Sequence, residues 1–115
     1  MKITYDLEQM EEFREKWIGK IVVNFPKYKQ RLQYIKDCNF QTNEAGEITV
    51  GTDQIESIIK LVEIAGQHVE KVAIEHLETG LEVGSFEELE DYEDTQEIIN
   101  VIGGKILAGV RLGEI

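Results

Sequence analysis

The sequence predicts a small α+β domain, mainly helical, with about four helices and a short β-hairpin near residues 72–83. Three observations lead there. Apolar residues recur at intervals of three and four in several separate stretches, the mark of helices with one buried face. The stretch 72–83 alternates instead and contains a glycine-bearing turn. The chain has 115 residues, 42% of them hydrophobic, with a single proline, which gives enough apolar matter for one core and no linker to divide it. One domain over 1–115 is expected.

Taken in order, "KITY" at Lys2–Tyr5 alternates and reads as a short strand. Asp6 offers an N-cap with Gln9 three positions on. Leu7, Met10, Phe13 or Arg14, Trp17 and Ile21 then follow at helical intervals, so an N-terminal amphipathic helix is expected. "NFPKY" restarts the chain, with Asn24 as a cap and Pro26 near a first helical turn. Tyr28, Leu32 and Ile35 form the next stripe, ringed by Lys27, Lys29, Arg31 and Lys36. That basic face reads as a solvated helix surface, or as a contact for an acidic surface of another subunit.

The stretch "FQTNEAGEITVGTDQ" is loop, with a short strand at Ile48–Val50. Asp53 and Glu56 have capping-box spacing, and "IESIIKLVEIAG" is the clearest helix, ending at Gly66 as a C-cap. Ile55, Ile58, Ile59, Val62 and Ala65 line it, while Leu61 and Ile64 widen the apolar stripe, so this helix should pack on two sides. Val72 and Ile74, with His76 on the same face, then a turn at Glu78–Gly80, then Leu81 and Val83, make the hairpin. The last helix takes "TQEIINVIGGKILAGVRLG". Gly103–Gly104 inside it is costly, about 1 kcal/mol each relative to Ala, so either the helix breaks there or something packs very close.

Charge is uneven. Residues 1–50 carry eight basic and eight acidic groups; residues 51–115 carry four basic against fifteen acidic, which accounts for the net charge of −11. Ser85–Glu97, "SFEELEDYEDTQE", holds seven carboxylates and no Lys or Arg. Two helix starts explain much of it: Ser85 with Glu88 and Asp94 with Glu97 both have capping-box spacing, and carboxylates near helix N-termini are favoured by roughly 0.3–1 kcal/mol each. A negative field disfavours direct nucleic-acid binding, which draws on cationic side chains.

No motif for chemistry stands out. "DYEDTQEIINVI" lacks the glycine an EF-hand loop requires at its sixth place, and His68 and His76 lie eight apart with no Cys pair. In "IGGKILAG" Lys105 is followed by Ile106, not Ser or Thr, so it is no phosphate loop. The lone Cys38 cannot form an internal disulfide and reads as a small core residue. No catalytic residue, cofactor site or metal site is expected. The opening "MKITYDLEQMEEF" lacks the apolar core of a signal peptide, and no long apolar run is present, so a cytoplasmic protein without a membrane span is expected. Association is left as the function class. The residues favoured for partner contact are Ile55, Ile59 and Val62 on the central helix, and Ile98, Ile102 and Ile106 on the last.

From Leu32 onward the order of pieces resembles a tail assembly chaperone of long-tailed bacteriophages. The resemblance rests on the basic helix with "QYIKDCNFQTNEAGEITVG", on "IESIIKLVEIAGQHVEKVAIEHLETG", and on "SFEELEDYEDTQEIINVIGGKILAGVRLG". It implies a non-enzymatic protein of the host cytoplasm. Such a protein binds the long, helical tape measure protein, with the tail tube protein as a further partner, while the tube polymerises. Apolar grooves would cover the client, and the negative charge would keep the coated particle dispersed. The family commonly makes a longer product by frameshifting, and Gly103–Gly104–Lys105 is a position where codons could slip. The resemblance leaves a homo-oligomer open. Two contrasting readings are an acidic inhibitor whose carboxylates imitate nucleic acid, and a structural tail or capsid component.

Overall fold

Two apolar stretches of the N-terminal half pair as strands, and the rest of the fold is built on them. The computed structural model describes residues 1–38, 41–42, 48–49 and 55–109. Strands β1 (Lys2–Asp6) and β2 (Trp17–Asn24) are followed by helix α1 (Tyr28–Cys38) and a two-residue pairing of β3 (Gln41–Thr42) with β4 (Ile48–Thr49). Helix α2 (Ile55–His68) leads directly into β5 (Val69–His76). Then come β6 (Glu82–Val83), α3 (Phe86–Asp91) and α4 (Gln96–Ala108). The main sheet is antiparallel throughout, in the order β1-β2-β5-β6. The architecture is therefore α+β with four α-helices among the described residues, as the sequence predicts, although the sheet is larger than the single hairpin expected.

One face of the sheet is buried. Trp17, Ile21 and Val23 of β2, Val72 and Ile74 of β5 and Val83 of β6 join Leu61, Ile64 and Ala65 of α2, Leu89 of α3 and five aliphatic residues of α4 in one cluster. At about 25 cal/mol per Å² of apolar area removed from water, this cluster is the main favourable term of the fold. The opposite face carries Lys2, Thr4, Ile18, Lys20, Val22, Lys71, Ala73, Glu75 and Glu82, which is the polar-out alternation of a sheet covered on one side.

The expected N-terminal helix does not form. Asp6 does cap, accepting from the Glu8 N–H at 3.1 Å, but what it starts is a 3-10 turn over Leu7–Gln9. Single helical turns follow, with the Arg14 N–H on the Met10 carbonyl and the Trp17 N–H on the Phe13 carbonyl. From Trp17 the chain is a strand. Leu7, Phe13, Trp17 and Ile21 are all buried as expected, because a spacing of four satisfies both a helix and a strand. The β-branched run Ile21–Val22–Val23 favours the strand, and pairing with β5 settles it. Gly19 (φ 113°) completes it, since a Cβ there would lie 2.1 Å from the Ala73 carbonyl oxygen. Asn24 is the last residue of β2, not a helix cap.

Other boundaries move by less. Helix α2 passes Gly66, which sits against the Phe86 ring, and ends at His68. Helix α4 does not break at its glycines: Leu61 lies so near Gly103 that a Cβ would come within 2.8 Å of it, whereas Gly104 faces open space. Ser85 caps α3 as predicted, accepting from Glu88 N–H at 3.2 Å. Asp94 does not cap α4. Thr95 precedes the helix, and its buried hydroxyl bonds the Leu89 and Tyr92 carbonyls instead. The predicted cap Asp53, the strand end Val50 and the side chain of Cys38 lie outside the described residues. No helix among the described residues is long and apolar enough to cross a membrane.

Candidate functional site

The six residues favoured for partner contact fall into two groups. Ile98, Ile102 and Ile106 recur every four residues along α4 and are 0%, 1% and 0% exposed, so in this fold they are core and offer a partner no surface. That corrects the expectation for the last helix. Its apolar residues lie on several sides, and they are buried in the core shared with the sheet, with α1, α2 and α3 packed beside the helix. Ile55 and Ile59 are 71% and 51% exposed, four apart on one side of α2. Val62, one turn on, is half-buried against the core. The inner side of α2 is supplied by Leu61, Ile64 and Ala65. A helix with sealed aliphatics on one side and bare isoleucines on another is the arrangement a partner helix can complete.

Helix α1 is turned relative to the expected stripe. Tyr28 and Leu32 are exposed, while Arg31, Tyr34 and Ile35 face inward. Arg31 is consumed inside the molecule: its Nη1 donates to the carbonyls of Leu107 (3.0 Å) and Ala108 (2.8 Å) and so caps the C-terminus of α4. Its guanidinium carbon also lies 5.0 Å from the Tyr28 ring centre. Lys27, Lys29 and Lys36 keep the solvated basic face that the sequence suggests.

A polar knot fixes where α1, α2 and β2 meet. The Nδ1–H of His68 donates to the Asn24 carbonyl at 3.0 Å, and its Nε2 lies 2.8 Å from the Tyr34 hydroxyl. That hydroxyl also accepts from Gln30 and lies beside the Gln67 Oε1, both at 2.9 Å, so its single proton is shared between Gln67 and the His68 Nε2. The sequence gives His68 no metal role and reads it as a surface or half-buried histidine, and half-buried it is, with these partners as its role. Tyr34 stood outside the predicted stripe, which is why the knot went unseen. His76 is likewise structural, its ring meeting Trp17 edge-on at 4.7 Å.

The acidic segment stands at one end of the sheet. Glu87, Glu90, Asp91, Glu93, Asp94 and Glu97 are exposed, and Glu97 reaches Lys16 at 3.8 Å. Glu88 is half-buried, its Oε2 3.5 Å from the Gly84 N–H. Beside it an open cleft of about 630 Å³ is lined by Ile18, Gly19, Ala73, Glu75, Glu82 and Glu88, among others. Glu75 and Glu82 sit directly opposite each other across β5 and β6. No group of His, Cys, Asp and Glu among the described residues is arranged to hold a metal ion. Compared with family models, with curated proteins and with solved structures, the chain matches none.

Proposed function

We propose that this chain is a tail assembly chaperone of the kind its sequence resembles. It binds an extended helical client, the tape measure protein, and keeps it dispersed while the tail tube assembles. The observation that carries the reading is the bare pair Ile55 and Ile59 on α2, a helix whose other face is already committed to the core. Two β-branched aliphatics left in water four residues apart form a strip that an amphipathic client helix can cover. The net charge of −11 would keep the coated client from aggregating. On this reading the chain does no chemistry.

The test is recovery of the tagged protein from infected cells, followed by mass spectrometry. A single very long helical tail protein should be retained through washes of about 1 M salt, where exposed charge contacts are screened within about 3 Å. The Ile55→Ser/Ile59→Ser variant should lose it. Retention by that variant overturns the reading.

A second reading is favoured by one observation, the joint exposure of Glu87, Glu90 and Asp91 along α3 with Glu93 and Asp94 just beyond. An inhibitor imitating nucleic acid would present its carboxylates in this way to a basic cleft. Its partner would be a nuclease or polymerase, released by salt and lost on Gln and Asn substitution of the segment.

A further inference from the structure

Strand β1 is an edge of the main sheet. Its pairing with β2 fixes which backbone groups are used. The Phe25 N–H bonds the Met1 carbonyl at 2.8 Å, and the register continues through Ile3↔Val23 and Tyr5↔Ile21. Hydrogen-bonded and non-bonded pairs alternate along an antiparallel ladder. Met1, Ile3 and Tyr5 therefore turn their N–H and C=O toward β2, and Lys2, Thr4 and Asp6 turn theirs to the outer edge, which no other strand among the described residues pairs with. The side chains follow the same period. Lys2, Thr4 and Asp6 stand on the open face of the sheet; Ile3 and Tyr5 stand on the helix side, half-buried against the core.

We propose that β1 pairs antiparallel with β1 of a second copy about a two-fold axis at Thr4, joining two four-stranded sheets into one of eight. The sequence of the edge, Lys2-Ile3-Thr4-Tyr5-Asp6, complements itself in that register. Lys2 lies opposite Asp6 of the second copy, and Asp6 opposite its Lys2. Thr4 meets Thr4, and Ile3 meets Tyr5 on the helix side. The outward N–H and C=O groups of Lys2, Thr4 and Asp6 all find partners. A slide of two residues either way leaves a charge unmatched and part of the edge unbonded. Charges then alternate across the joined sheet. Asp6 already faces Lys20 of its own chain, and Lys2 already pairs with Glu70 at 3.0 Å. The new row reads Lys20, Asp6, Lys2 of the second copy, Asn24 of the second copy, with Glu70 reaching that Lys2 from the next strand. Opposite charges directly across a ladder stabilise it and like charges weaken it. A chain that only needed to protect its edge could do so with one sign of charge.

The full chain should sediment at twice its 13.2 kDa mass as its concentration is raised to about 500 µM. Lys2→Glu sets Glu against Asp6 twice over, and Asp6→Lys sets Lys against Lys2 twice over. By symmetry each should raise the dimer dissociation constant about tenfold or more. An equimolar mixture of the two variants restores opposite charges at both cross-copy pairs and should recover a dimer of one chain of each kind. The circular dichroism of each variant checks that it is folded. A wild-type chain that stays monomeric overturns the proposal. So does a dimer indifferent to both substitutions, or a mixture of folded variants that fails to associate.

Discussion

Helices α2 and α4 have similar raw material and different fates. Each is rich in isoleucine, and the two pack on each other at Leu61 and Gly103. In α4, Ile98, Ile99, Ile102, Ile106 and Leu107 are all sealed, because α1, α2 and α3 pack beside it and its apolar residues join the core on the sheet. In α2 the sealed residues stop at one side, and Ile55 and Ile59 stand in water. Aliphatic content alone does not say which helix is sealed and which keeps bare aliphatics. The number of neighbours each helix has in the fold decides it.

Substitutions in the two helices should therefore differ in kind. The largest effect is expected for Ile102→Ala. It removes a fully buried side chain and should cost about 2–5 kcal/mol in denaturant unfolding. Gly103→Val comes next. Its Cβ alone would overlap Leu61, and forcing the helices apart should cost about 1–3 kcal/mol. Gly104→Ala meets open space one residue later, and relief of the helical glycine cost should raise stability by about 0.5–1 kcal/mol. Ile55→Ser/Ile59→Ser should move stability least, about 0.5 kcal/mol or less per site, and on the proposed function it should abolish capture of a client. If the serine pair cost as much as Ile102→Ala, the contrast between the helices would collapse.

Much of this was legible in the residues. The fold class, the hairpin, the Ser85 cap and the central helix follow from spacing and capping chemistry. So does the alternative posed at Gly103, where close packing by Leu61 is what occurs. The N-terminal helix was misread for a physical reason: Trp17 and Ile21 fit either period, and what tipped the balance was pairing with β5, more than forty residues distant in the chain. The same limit applies to the surface. Whether Ile59 or Ile102 meets water depends on which elements come to rest beside each helix, and that is a tertiary fact. Arg31 is similar, a cation that looks solvated until the end of α4 arrives to use it.

The join between α2 and β5 has a mechanical consequence. His68 ends the helix and Val69 begins the strand, so no slack residue separates them. A pull on the outer side of α2 travels along the backbone straight into a central strand, with the His68 ring anchored to Asn24 at the junction. Seizing that helix would thus stiffen the whole sheet, and slowed amide exchange in β5 would report it from well away from the point of grip.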